Sequence, residues 1–125
     1  MLKIYLSDPQ GQFQEVNEFV KGCWINLTNP TDEEIERVVQ ALNIPADFLR
    51  DSLDEEERSR IEKEDNSLLI IVDIPMIQSG SKEEKYITLP LGMIITEDYF
   101  VTVCLKENSI LDHFIHNKAK NFFTF

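Results

Sequence analysis

Two histidines, two cysteines and 23 carboxylates are the side chains with which this 125-residue chain could do chemistry. His113 and His116 stand at i and i+3 and could share a metal, but no third nitrogen or sulfur ligand is spaced to join them. They read as polar residues on a solvated helix face. Cys23 and Cys104 fall in predicted strands without C-x-x-C or Cys/His spacing, which makes them reduced core residues. A nucleophilic Ser or Cys needs a neighbouring base, and nothing in the spacing supplies one. Gly11, Gly22, Gly80 and Gly92 are too scattered to cradle a phosphate. The sequence therefore predicts neither an enzyme nor an organic cofactor.

The carboxylates remain. Against 12 bases they leave a net charge of −11, which opposes nucleic acids and anionic lipid surfaces at long range. Nucleic acid is not an expected partner. Between Thr31 and Asp65, 13 acids face 5 bases, so −8 of the total sits in that segment. Such a run is ordinarily a solvated helix face. Alternatively it is a surface that collects divalent cations, because neighbouring carboxylates repel and a hard cation with oxygen ligands relieves the repulsion. Hydrated Mg²⁺ needs only one or two carboxylates and leaves almost no sequence trace. Abundance alone is no sign of general acid/base catalysis.

These residues must be positioned by a core. At this length, with 42% hydrophobic residues, one core is expected, able to bury roughly two thirds of the unfolded surface. Residues 1–125 are thus expected to form a single domain. Leu2, Ile4 and Leu6 alternate with polar partners as a strand, Asp8 to Gly11 turns the chain, and Phe13 to Val16 pairs back. Cys23 to Leu27 is the third strand. Thr31 with Glu34 forms a capping box, and Ile35, Val38, Val39 and Leu42 recur at helical spacing. Pro45 opens a short second helix with Phe48, Leu49 and Leu53 buried and Asp51 between them.

Ser59 to Glu64, Leu68 to Val72, Tyr86 to Thr96 and Tyr99 to Leu105 read as further strands. Leu68 to Val72 is apolar on both phases, as in a strand covered on both faces. Pro90 predicts an edge or a bulge. Ser79 to Glu84 is a polar loop, and Ser109 can cap a last helix. The aromatic end, Phe122, Phe123 and Phe125, reads either as a cut in a longer polypeptide or as a docked C-terminus. No basic and apolar leader is seen, and no apolar run is long enough to span a bilayer. The expected class is α+β, or mixed α/β: about seven strands in a mixed sheet built largely of hairpins, with helices on both faces.

The order of segments resembles the N-terminal cytosolic domain of the CorA family of magnesium and cobalt transporters. The resembling residues are Trp24-Ile25-Asn26-Leu27 with Asn29-Pro30-Thr31, then Pro45, Leu49, Asp51 and Leu53, then Arg58, Arg60, Ile61 and Glu62, and finally Tyr99 to Val103. In the family the chain continues through stalk helices into two membrane spans and a Gly-Met-Asn loop. Gly92-Met93-Ile94 is a decoy for that loop, lacking the asparagine. Arg50 stands where family members commonly have an acid, and Ser59 where proline is common.

The resemblance implies a regulatory domain on the cytoplasmic side of the membrane, sensing Mg²⁺ or Co²⁺ within a homopentamer. It implies Asp51 as a metal ligand, paired with a carboxylate of the adjacent subunit, and no transport by these residues alone. A domain of a Zn²⁺-transporting relative and a free-standing acidic binding module are the alternatives.

Overall fold

The structure, a computed structural model, describes residues 1–78 and 85–115. Its sheet has seven strands: β1 (Leu2–Ser7), β2 (Phe13–Val16), β3 (Trp24–Thr28), β4 (Arg60–Glu64), β5 (Ser67–Gln78), β6 (Lys85–Ile95) and β7 (Phe100–Cys104). They lie in the order β2-β1-β3-β7-β6-β5-β4. Every neighbouring pair is antiparallel except β3 with β7. Helices α1 (Asp32–Leu42) and α2 (Ala46–Asp51) follow β3, and α3 (Ser109–Ile115) follows β7. This is the expected mixed α+β sheet. The predicted loop at 79–84, His116 and the aromatic end lie outside the described residues.

Alternation along the strands makes two unequal layers. Ile25, Leu27, Val101, Val103, Ile94, Leu69 and Ile71 point to one face and pack with Ile35 and Val38 of α1 and Phe48 and Leu49 of α2. Tyr5, Trp24, Leu91 and Cys104 point to the other, beneath Leu111 of α3. Cover on that second face is incomplete: Leu68, Ile70 and Val72 are half-buried, and Ile61 on the edge strand is 73% exposed. The both-phase apolar run of β5 is therefore sealed on one side and partly open on the other.

Local chemistry explains the element ends. Thr31 Oγ1 accepts from the Glu34 N–H at 3.2 Å while Glu34 Oε1 accepts from the Thr31 N–H at 2.9 Å, completing the capping box. Asn43 ends α1 in the left-handed region, φ 54°. Pro45 stands one residue earlier than expected, as the N-cap of α2. The cap of α3 is Asn108 rather than Ser109, because the Asn108 Oδ1 accepts from the Leu111 N–H at 2.8 Å. Pro90 lies one residue past the β7 pairing, which ends at Leu91↔Cys104, so the missing N–H faces no third strand there.

Glu34 does more than cap. Its Oε2 accepts from the Leu2 N–H at 2.7 Å, and the amino terminus lies 3.2 Å from Oε1, so the start of β1 is tied to the start of α1. Burial works against the charged form, but these donors outweigh it and hold the carboxyl below its usual value of 4.5. A lowered folded value stabilises the fold above the unfolded value and is lost as pH falls through the folded one. Urea unfolding of the wild type and Glu34→Gln should show a stability gap that is constant above about pH 5 and shrinks on acidification to pH 3. A gap independent of pH would show that the carboxylate charge is not what Glu34 contributes.

Candidate functional site

α2 is held against the sheet by a glycine. Phe48 and Leu49 are buried, and Ser52, just past the helix, is fully buried with its hydroxyl donating to the Phe48 carbonyl at 2.7 Å. A Cβ on Gly92 of β6 would meet the Ser52 Oγ at 1.9 Å and its Cβ at 2.4 Å. The end of α2 thus rests directly on the backbone of β6. With Phe48, Leu49 and Ser52 turned inward, Asp51 faces the flank of the helix, its side chain 40% exposed.

There it meets Arg60, the first residue of β4. Arg60 Nη2 donates to Asp51 Oδ2 at 2.8 Å. The turn between α2 and β4 brings Glu57 to Nη1 of the same guanidinium. Glu62, two residues along β4 and so on the same face, accepts from Nε at 3.3 Å and from Nη2 at 3.1 Å. Three carboxylates from three segments converge on one cation. The Asp51 hydrogen bond, joined by those of Glu57 and Glu62, outweighs desolvation and pushes the Arg60 pKa up. Sequence reading singled out Asp51 but not this convergence. The i−3 and i+2 spacing of Glu57 and Glu62 around Arg60 was visible; the nine residues separating Asp51 from Arg60 needed the intervening turn.

The other candidates remain apart. Arg50 is exposed and meets Asp32 of α1 at 3.3 Å, linking the two helices. His113 is exposed on α3. Cys23 and Cys104 are both buried, and burial pushes the Cys23 thiol pKa up. Thr28 pairs with Cys104, and Cys23 lies five residues before Thr28, so the sulfurs are separated by roughly 17 Å of strand. Glu64, Asp65, Glu97 and Asp98 line a polar hollow of about 210 Å³ beside Asn43 and Tyr99. Among the described residues no three of His, Cys, Asp or Glu form a group that could hold a metal.

For a hydrated Mg²⁺ the donor chemistry of Asp51 is suitable: a hard oxygen ligand, half-exposed, on a firmly seated helix. The ligand set within this chain is incomplete, and Oδ2 is already engaged by a guanidinium. The arrangement can present a carboxylate to a cation at the surface.

The same architecture occurs in solved structures. The soluble domain of CorA from Methanocaldococcus jannaschii superimposes with a TM-score of 0.74 at 23% identity, over 96% of this chain and 47% of that one. The ZntB cytoplasmic domain from Vibrio parahaemolyticus does so with a TM-score of 0.64 at 9% identity, over 89% of this chain and 46% of that one. The fold is therefore that of the soluble domains of CorA-type proteins.

Sequence places it further. The family model described as CorA-like Mg2+ transporter protein matches residues 20–121, and the chain belongs to that family. The cobalt/magnesium transport protein CorA of Methanocaldococcus jannaschii is 31% identical over 80 residues, 64% of this chain. The chain spans about a quarter of that relative's length, 24%. No helix among the described residues is long and apolar enough to cross a membrane.

The seat under α2 is open to test. Gly92→Ala drives a methyl into Ser52, so stability should fall by roughly 1–3 kcal/mol, the usual range for overpacking a filled core. Gly92→Ala combined with Ser52→Gly, which removes both atoms the methyl would strike, should recover part of that loss in urea unfolding. A single variant as stable as the wild type would show that α2 is not seated through this contact.

Proposed function

We propose that this chain is the N-terminal cytosolic domain of a longer CorA-like transporter, and that it senses cytosolic Mg²⁺ or Co²⁺ through Asp51. The observation that carries the reading is a half-exposed carboxylate, seated firmly on the sheet of a CorA-family domain, in the segment that holds −8 of the net charge. The chain's partners are then its own subunits, as a homopentamer, with membrane contact made by spans outside residues 1–125.

The electrostatics are simple. Two carboxylates about 4 Å apart at an effective dielectric of about 20 repel by roughly 4 kcal/mol, so acidic faces of neighbouring subunits push apart when bare. A bound divalent cation supplies the positive charge that reverses this sign. Asp51 contributes one oxygen ligand from its own subunit, and α2, packed on Gly92, fixes where that ligand stands. Subunits held together keep the pore shut, and depletion of the cation lets them separate. The likeness to ZntB raises Zn²⁺ as a cargo, but that likeness is one of fold at 9% identity, while the 31% sequence likeness is to a cobalt/magnesium transport protein.

The test uses the whole transporter, titrated with Mg²⁺ and with Co²⁺ by calorimetry. Asp51→Ala should weaken binding at least tenfold, about 1.4 kcal/mol. An isotherm that does not change would remove Asp51 from the sensing site. Asp51 is half-exposed, and ion pairs at a surface contribute about 0–1 kcal/mol to folding, so the substitution should leave the domain folded.

A further inference from the structure

Arg60 engages one of the two carboxylate oxygens of Asp51. Its guanidinium lies 2.8 Å from Asp51 Oδ2 and simultaneously engages Glu57 and Glu62. Guanidinium has five N–H donors in a fixed fork and stays charged at any physiological pH. Release of Asp51 would leave it with two carboxylate partners, so letting go of that one group does not strand a charge. The Asp51 contact is also the one made across segments, from α2 to β4, whereas Glu57 and Glu62 are three and two residues away in the chain.

We propose that Arg60 is a built-in competitor for Asp51: the guanidinium and a divalent cation contend for the same carboxylate, and Arg60 sets the cation concentration at which the site fills. This rests on the reading of Asp51 as the sensing ligand. Competition follows by either of two routes. A cation that takes Oδ2 must displace Nη2, and one that binds the other oxygen sits next to a full positive charge that repels it. Both routes weaken the site, and both vanish when the charge is removed. The exposure of the pair, 30% for Arg60 and 40% for Asp51, keeps the contact screened by solvent and salt, so the competitor is reversible rather than a permanent plug.

The experiment is a Mg²⁺ titration of the whole transporter by calorimetry, with MgCl₂ as the only added ligand. Arg60→Gln should lower the half-saturating Mg²⁺ concentration about tenfold, and Arg60→Lys, whose ammonium cannot fork between three carboxylates, should give an intermediate value. In the Asp51→Ala background, Arg60→Gln should have no further effect, which a merely structural role of Arg60 would not produce. A midpoint unchanged or raised by Arg60→Gln, while Asp51→Ala still weakens binding, overturns the competitor and leaves the sensing site standing. Binding indifferent to Asp51→Ala removes both. Should Arg60→Gln fail to fold, the neutral Arg60→Met decides instead: a lowered midpoint supports the competitor, an unchanged or raised one overturns it.

Discussion

The parallel contact between β3 and β7 is the seam on which the fold depends. On one side of it lie β2, β1 and β3, on the other β7, β6, β5 and β4, and each half is antiparallel within itself. Buried polar side chains cross the seam. The Trp24 indole N–H donates to Thr102 Oγ1 at 2.8 Å, and Thr102 Oγ1 donates to Asn26 Oδ1 at 2.9 Å. A slip of one residue between β3 and β7 would send either Asn26 or Thr102 into the apolar layer under α1 and α2. There its amide or hydroxyl would lose these partners, at about 1–3 kcal/mol for each unpaired group. Polar residues inside the sheet thus reinforce the register that the surrounding apolar pattern sets.

That seam also dictates where the acidic segment goes. A parallel pair cannot be joined by a tight turn, so the chain must leave β3, cross the face of the sheet and return. α1 and α2 make the first part of that crossing, and the chain then enters the far edge as β4 before working back through hairpins to β7. Asp51 stands at the end of the helical part and Arg60 at the start of the edge strand. Their meeting follows from the route: the turn with Glu57 brings the strand back beside the helix it has just left.

Much of this was legible in the sequence, for physical reasons that differ by element. The capping box at Thr31 and the helical spacing of Ile35, Val38 and Leu42 are local signals, and they place the start of α1 at its cap and one face of it on the core. Strands β1, β2 and β4 to β7 declare themselves by alternation or by turn residues such as Asp65, which takes φ 51°. Cap identity at α3 was less legible, since Asn108 and Ser109 are both good caps and only the geometry chooses. The uneven cover of β5 could not be read, because an apolar run looks the same whether its second face is sealed or half-open. Nor could the seat at Gly92, where the signal is one missing side chain opposite Ser52, 40 residues away.

For the site, residue types were readable and their company was not. A segment of −8 is compatible with a solvated face and with a cation-binding one, and composition cannot separate these. Geometry separates them in part. The carboxylates at the start of α1, Asp32, Glu33 and Glu34, sit where the helix dipole favours negative charge. Around Arg60 the chain instead gathers three carboxylates and supplies one positive charge of its own, leaving the group at −2. That balance suffices while the surface is bare, because water screens what the guanidinium does not neutralise. On the proposed reading, another carboxylate brought up against Asp51 would displace that water, a single guanidinium shared three ways would no longer be enough, and a divalent cation would contend for the same oxygen. Under that proposal a cation response would belong to a pair of surfaces, which is compatible with the lack of a metal group among the described residues.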